Sequence, residues 1–133
     1  MSEKPCPCQS GQSYLQCCER YISGTSAAPT AVALMRSRYT AYTQENRDYL
    51  MVTWDPETAP VDLTFQGNTV KWMGLEILSQ TKGLENDTIG QVEFHAQFQS
   101  GNQTSSMREN SRFKKVDGKW LYIDGEVDRA HRR

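Results

Sequence analysis

All four cysteines of this chain fall in one thirteen-residue window, Cys6-Pro7-Cys8-Gln9-Ser10-Gly11-Gln12-Ser13-Tyr14-Leu15-Gln16-Cys17-Cys18. Four thiolates at this spacing form the ligand set of a closed tetrahedral zinc site. Cys6 and Cys8 flank a single residue, so one tight bend can present both. Gly11 admits a positive φ and lets the chain turn back over the ion. Ser10 or Ser13 can cap a short turn from Ser13 to Cys18, which would present Cys17 and Cys18 from the other side. Such a site leaves no open position for water, so its thiolates read as structural and not catalytic. The alternatives are an iron–sulfur cluster, free thiols, or disulfides from Cys6 and Cys8 to Cys17 and Cys18. A bridge between adjacent Cys17 and Cys18 would be strained. Met1-Ser2-Glu3-Lys4-Pro5 has no apolar run that would mark export. The expectation is therefore zinc, in a cytoplasmic protein.

A chain of 133 residues makes one domain, or one domain with a small appendage. A knuckle of about twenty-four residues cannot bury a core of its own and needs its metal to fold. The remainder, with thirteen aromatic residues in the chain, can bury one. No stretch is long and apolar enough for a membrane span. Residues 1–103 hold 7 basic against 11 acidic side chains, and residues 104–133 hold 8 against 5. That +3 end is too weak to predict nucleic-acid binding from charge. Residues 127–133 read as a polar C-terminal tail.

Residues 1–24 read as the knuckle. Residues 25–29, within the small and polar run Ser23 to Pro29, read as a linker that uncouples it from the rest of the chain. Chelation is then expected to unfold the knuckle and leave the core standing. Thr30 is an N-cap signal, and Val32, Met35, Tyr39 and Tyr42 recur at helical spacing, predicting a helix over 31–45. A second short helix is predicted over 48–54, stopped before Pro56, and a third near 63–66, ended by Gly67-Asn68. The period then changes to two. Strands are predicted over 70–79, 90–99, 106–116 and 119–124, with Asp117-Gly118 as the last hairpin turn. Helices followed by an antiparallel sheet make an α+β domain over 30–126.

The cysteine segment resembles a SEC-C motif, the zinc knuckle at the C-terminus of the preprotein-translocase ATPase. The resemblance makes Cys6, Cys8, Cys17 and Cys18 the metal ligands. Much of the rest resembles the YchJ-like family of bacterial proteins. The matching stretches are 34–42, Asp48-Tyr49-Leu50 with Thr53-Trp54, 72–78, Val92-Glu93-Phe94, Ser111-Arg112-Phe113 and 118–125. This implies a nuclear transport factor 2-like (cystatin-like) cone of helices packed on a curved antiparallel sheet. Because the translocase knuckle recognises a chaperone and has ribosome contacts, the resemblance implies a protein partner in export or translation.

Two functions are consistent with these features. One is a non-enzymatic adaptor that docks a protein through the knuckle. The other is a small cone-fold enzyme or carrier for a hydrophobic molecule in the cleft between helices and sheet. For the cleft, Trp54, Trp72 and Tyr122 are the expected walls, and Glu76, Glu93, His95 and Arg112 the expected polar contacts. Glu93 and His95 share a strand face and would suit general acid–base work. Strict alternation puts Trp72, Gly74, Glu76 and Leu78 on one face, so Trp72 and Glu76 should be in or out together. Arg36 and Arg38 read as structural, pairing with Glu76 or Glu93 or reaching solvent.

Overall fold

In the computed structural model, which describes residues 4–60 and 70–129, three helices precede one antiparallel sheet. The helices are α1 (Glu19–Ile22), α2 (Ala31–Thr43) and α3 (Arg47–Val52). The strands β1 (Val70–Lys82), β2 (Ile89–Ser100), β3 (Gln103–Val116) and β4 (Lys119–Arg129) form a simple meander, each paired with the next. The helix expected near 63–66 lies outside the described residues.

Local chemistry sets these boundaries. The Thr30 hydroxyl accepts the Ala33 amide at 3.1 Å and starts α2. Asn46 Oδ1 accepts the Tyr49 amide and starts α3. Asp117 and Gly118 both have positive φ, 54° and 80°, as a tight hairpin turn requires. At the β1–β2 hairpin, Gly83 and Gly90 let the sheet approach the start of α2. A Cβ on Gly83 would lie 2.8 Å from the Ala31 Cβ.

Alternation holds in β2, where Val92, Phe94 and Ala96 are buried and Glu93, His95 and Gln97 take the other face. It fails in β1. Met73 and Leu78 are extra residues in the pairing with β2, so the register slips at each. Each bulge reverses which residues point inward. Trp72 pairs with Phe98, Leu75 with Ala96 and Ile77 with Phe94 on the inner face, while Gly74 and Glu76 pair with Gln97 and His95 on the outer face. Trp72 and Glu76 therefore part company, against the strict-alternation expectation.

Helix α2 runs through the middle, with eight of its thirteen residues buried, polar ones included. Tyr49 and Leu50 of α3 pack beside its Ala41. The Tyr49 hydroxyl meets the Ser37 hydroxyl at 2.6 Å. Thr53 and Asp55 hydrogen-bond through their backbones to Tyr122, which covers part of the outer edge of β4.

The segment expected to uncouple the knuckle is instead packed down. Ala28 is buried, and Trp120 Nε1 donates to the Pro29 carbonyl at 3.2 Å. The four cysteines share one continuous core with Leu34, Met35, Tyr39, Leu75 and Phe94. The small residues at 25–29 allow close packing, a use that their composition shares with flexibility.

Candidate functional site

The cysteine segment meets the stereochemistry of a tetrahedral metal site. The four Sγ atoms lie within 4.8 Å of one another. Cys8 and Cys17 are 3.6 Å apart and Cys17 and Cys18 are 3.9 Å apart. A tetrahedral zinc with Zn–S bonds of about 2.3 Å needs sulfur–sulfur edges of about 3.8 Å. All four side chains are buried. The bend is made by Gln9 and Gly11, both at positive φ, and by the Cys6 amide bonding to Gln12 O at 2.9 Å. Helix α1 begins only at Glu19, so Cys17 and Cys18 lie in the turn that leads into it.

Helix α2 supplies the cluster's surroundings. Thr40 Oγ1 donates to Cys18 Sγ at 3.3 Å. Arg36 donates to the Cys8 carbonyl at 2.9 Å and lies 3.8 Å from Cys8 Sγ. The Ser10 hydroxyl is 3.2 Å from Cys17 Sγ. Hydrogen bonding from Cys18 holds the Cys8 thiol down at about 4, while Cys18 is pushed up by donating to Cys8 and by burial. Negative charge is thus favoured at Cys8, and the thiolate is the form a metal binds. The donor set fits a thiophilic metal, which when bound would supply cross-linking of the fold.

On another face of α2 the described residues line a partly open cavity of about 240 Å³. Met35, Tyr39 and Tyr42 line it from the helix, and Trp72, Phe94 and Met107 from the sheet. Trp72 stands edge-on to Tyr39 at 5.8 Å between ring centroids and tilted against Phe98 at 5.5 Å. Two charged side chains also reach this cavity. Arg38 is 2 % exposed. Its Nη1 donates to the Leu50 carbonyl and to Thr53 Oγ1, both at 2.8 Å. Its guanidinium carbon lies 4.8 Å from the Trp54 ring and 4.6 Å from the Tyr122 ring. Glu109 is 9 % exposed. Its Oε2 accepts from the Ser111 hydroxyl at 2.6 Å and the Tyr122 hydroxyl at 2.8 Å. Burial and the Glu109 charge push the Tyr122 phenol up, so it remains a donor.

Of the expected cleft residues, Trp72 and Tyr122 line the cavity, and Trp54 packs behind Tyr122 at 5.2 Å. Glu76, Glu93, His95 and Arg112 do not. They lie on the outer face, where Glu76 opposes His95, Glu93 bonds Arg108 at 2.7 Å, and Arg112 forms a two-pronged pair with Asp124. Glu93 and His95 thus have no enclosed site for acid–base work. Arg38 and Glu109 are the cavity's charged groups instead. The signal for Arg38 was present in its spacing, three after Met35 and four before Tyr42. Glu109 was hidden because β3 mixes Met107, Glu109, Ser111 and Phe113 on its inner face.

The profile of the YchJ middle NTF2-like domain matches residues 30–125. The chain belongs to this family. A UPF0225 protein of Streptomyces coelicolor is 48 % identical over 95 % of this chain and 98 % of its own length. One from Corynebacterium efficiens is 46 % identical over 92 % of each. The solution structure of a SEC-C motif containing protein from Rhodopseudomonas palustris superposes with a TM-score of 0.80. It is 34 % identical and covers 91 % of this chain and 96 % of its own. A crystal structure of a SEC-C motif containing protein from Psychrobacter arcticus gives 0.73 at 27 % identity, over 96 % and 84 %. As a YchJ-like protein, the chain thus joins a SEC-C cysteine segment to an NTF2-like α+β domain. No helix among its described residues is long and apolar enough to cross a membrane.

Proposed function

We propose that this YchJ-like chain is a small-molecule-binding protein, a cone whose cavity takes a compact hydrophobic ligand and whose knuckle holds one zinc as a structural clasp. The cavity carries this reading. Its walls are aromatic and thioether side chains, and its polar contacts are few and buried, the usual make-up of a ligand site. At about 240 Å³ it is smaller than the ~300–1,000 Å³ of drug-sized sites, so the ligand is about the size of one substituted ring. Zinc is supported by the four-sulfur donor set and its spacing. The burial of all four ligands supports a structural part for it and leaves no entry for substrate.

Methyl-labelled methionine tests the cavity directly. Added toluene is expected to shift the Met35 and Met107 signals, which come from the cavity wall, and to leave the exposed Met73 unchanged. No shift, or equal shifts at all three, would overturn the reading.

A second reading, the protein-docking adaptor, draws on one observation. Leu15, between the two cysteine pairs, is 58 % exposed. Leu15→Asp tests it without touching the metal ligands or the core. Unchanged capture of partners by this variant would end the adaptor reading.

A further inference from the structure

Among the described residues Glu109 is the one carboxylate that reaches the cavity, and its two described hydrogen bonds fall on one oxygen. Oε2 accepts two hydroxyl donors, which satisfies its lone pairs. Both of these hydrogen bonds fall on Oε2, which leaves Oε1 as the oxygen that a donor in the cavity could reach. A carboxylate oxygen has room for about two donors, so one that borders an apolar cavity can accept from a ligand.

The placement of this carboxylate is built into the backbone. Ser111 pairs with Gly125 across β3 and β4, and a Cβ at Gly125 would overlap the Glu109 carboxylate. Only glycine leaves the notch in which it lies. The nearest cation does not take up the spare oxygen. Arg38 spends Nη1 on Leu50 O and Thr53 Oγ1 and is held between the Trp54 and Tyr122 rings. It forms no ion pair with Glu109 within 4.0 Å, yet its positive charge is close enough to be felt from Glu109. One buried positive and one buried negative charge therefore already offset each other around the cavity. A charged ligand would upset that balance, and a neutral hydrogen-bond donor would not.

We propose that Glu109 is the recognition group of this cavity and that its ligand is a small, neutral, ring-bearing molecule whose O–H or N–H donates to Glu109 Oε1. The ring would lie against Tyr39, Trp72 and Phe94, where edge and face contacts favour a planar group. The proposal rests on the cavity reading above and adds the polarity and charge of the ligand.

Four probes of similar size separate the two claims. Toluene, p-cresol, 4-methylbenzoate and benzylamine are titrated into the metal-loaded full chain, read by the Met35 and Met107 methyl signals. The expected order places p-cresol about tenfold tighter than toluene, because a carboxylate acceptor strengthens the bond. The anion and the cation should bind more weakly than p-cresol. Glu109→Gln should bring p-cresol to within about threefold of toluene while toluene binding stays the same. Gly125→Ala, which displaces the carboxylate without changing its charge, should do likewise. If either variant fails to fold, the wild-type order alone decides. Equal binding of toluene and p-cresol would overturn the Glu109 inference and leave the cavity reading standing. Tightest binding of 4-methylbenzoate would assign recognition to Arg38, and tightest binding of benzylamine would show a site for cations, each overturning the proposal. Failure of all four probes would overturn both readings.

Discussion

The two sides of α2 bury polar groups in opposite ways. On the knuckle side, the cysteine sulfurs, Thr40, Ser10 and Arg36 answer one another, and the space between the sulfurs is the size of one ion. On the cavity side, Arg38 and Glu109 are also buried, but Glu109 lines an apolar cavity with both of its described hydrogen bonds on one carboxylate oxygen. A closed polar cluster is what a structural clasp requires. A buried polar group with unused capacity beside an apolar cavity is what a binding site requires.

The largest test of this contrast is metal removal. Apparent metal-binding energies of roughly 10–16 kcal/mol in zinc-finger peptides rival the roughly 5–15 kcal/mol stability of a whole domain. Because the cysteines belong to the same core as Leu34 and Phe94, chelation should melt knuckle and cone in one transition. Near-UV circular dichroism and tryptophan fluorescence would report it. A cone that keeps its aromatic signals after chelation would make the two sides independent. Elemental analysis should find one zinc per chain, and stoichiometric iron would refute the zinc assignment.

Next come the two arginines of α2. Arg38→Met removes two hydrogen bonds and leaves Glu109 buried without a compensating charge, so urea unfolding should show a loss of about 3–5 kcal/mol. Arg36→Met removes a half-buried hydrogen bond to Cys8 O and a long one to Cys8 Sγ and should cost only about 1 kcal/mol. Equal losses would mean that the cavity side is no more demanding than the knuckle side.

Alkali should act on the buried tyrosines, three of them in the cavity wall and Tyr49 beside Ser37. Burial pushes the Tyr39 phenol up to about 12 and raises Tyr42, Tyr49 and Tyr122 as well. The fold thus favours their protonated form, whereas the unfolded chain releases these protons near 10. The Tyr39 contribution is fully present below pH 10 and is lost as pH rises through about 12, and those of the other three are likewise lost only above pH 10. Tyrosinate absorbance of these four should therefore appear together with loss of circular dichroism. Early titration before unfolding would show that the wall is wet.

The smallest effect belongs to the outer face. The hydrogen bond from Arg112 lowers the Asp124 pKa below 3.8. Its contribution is present above that value and lost as pH falls through the lowered one. The pair is exposed, so Asp124→Asn should leave the acid transition nearly unchanged, and added salt should erase any difference.

Much of this arrangement was legible in the sequence where local rules govern. The cysteine spacing, the Thr30 cap, the alternation of Val92 to Ala96 and the Asp117-Gly118 turn each carry their own signal. What escaped depends on distant contacts. Nothing in Ala28-Pro29 announces that Trp120 will hold it down, and nothing near Glu109 announces Gly125 sixteen residues later. The outward placement of Glu93 and His95 is fixed by alternation once Val92 and Phe94 are known to be inside. Glu76 could not be placed that way, because the bulge at Met73 breaks the rule in its own strand.

That bulge and its companion at Leu78 behave like a compensated pair of insertions in a reading frame of period two. Before Met73 the even-numbered Trp72 points inward, between the bulges the odd-numbered Leu75 and Ile77 do, and after Leu78 the original phase returns. Deleting Met73 alone would therefore close the first bulge and leave Trp72 inward against Phe98, Lys71 outward, and Leu75 and Ile77 in place. Deleting Leu78 as well would restore regular pairing throughout and keep the same residues, Trp72 included, on the inner face. The two bulge positions are thus where β1 can lose a residue, and a deletion elsewhere in the strand would turn part of its inner face outward.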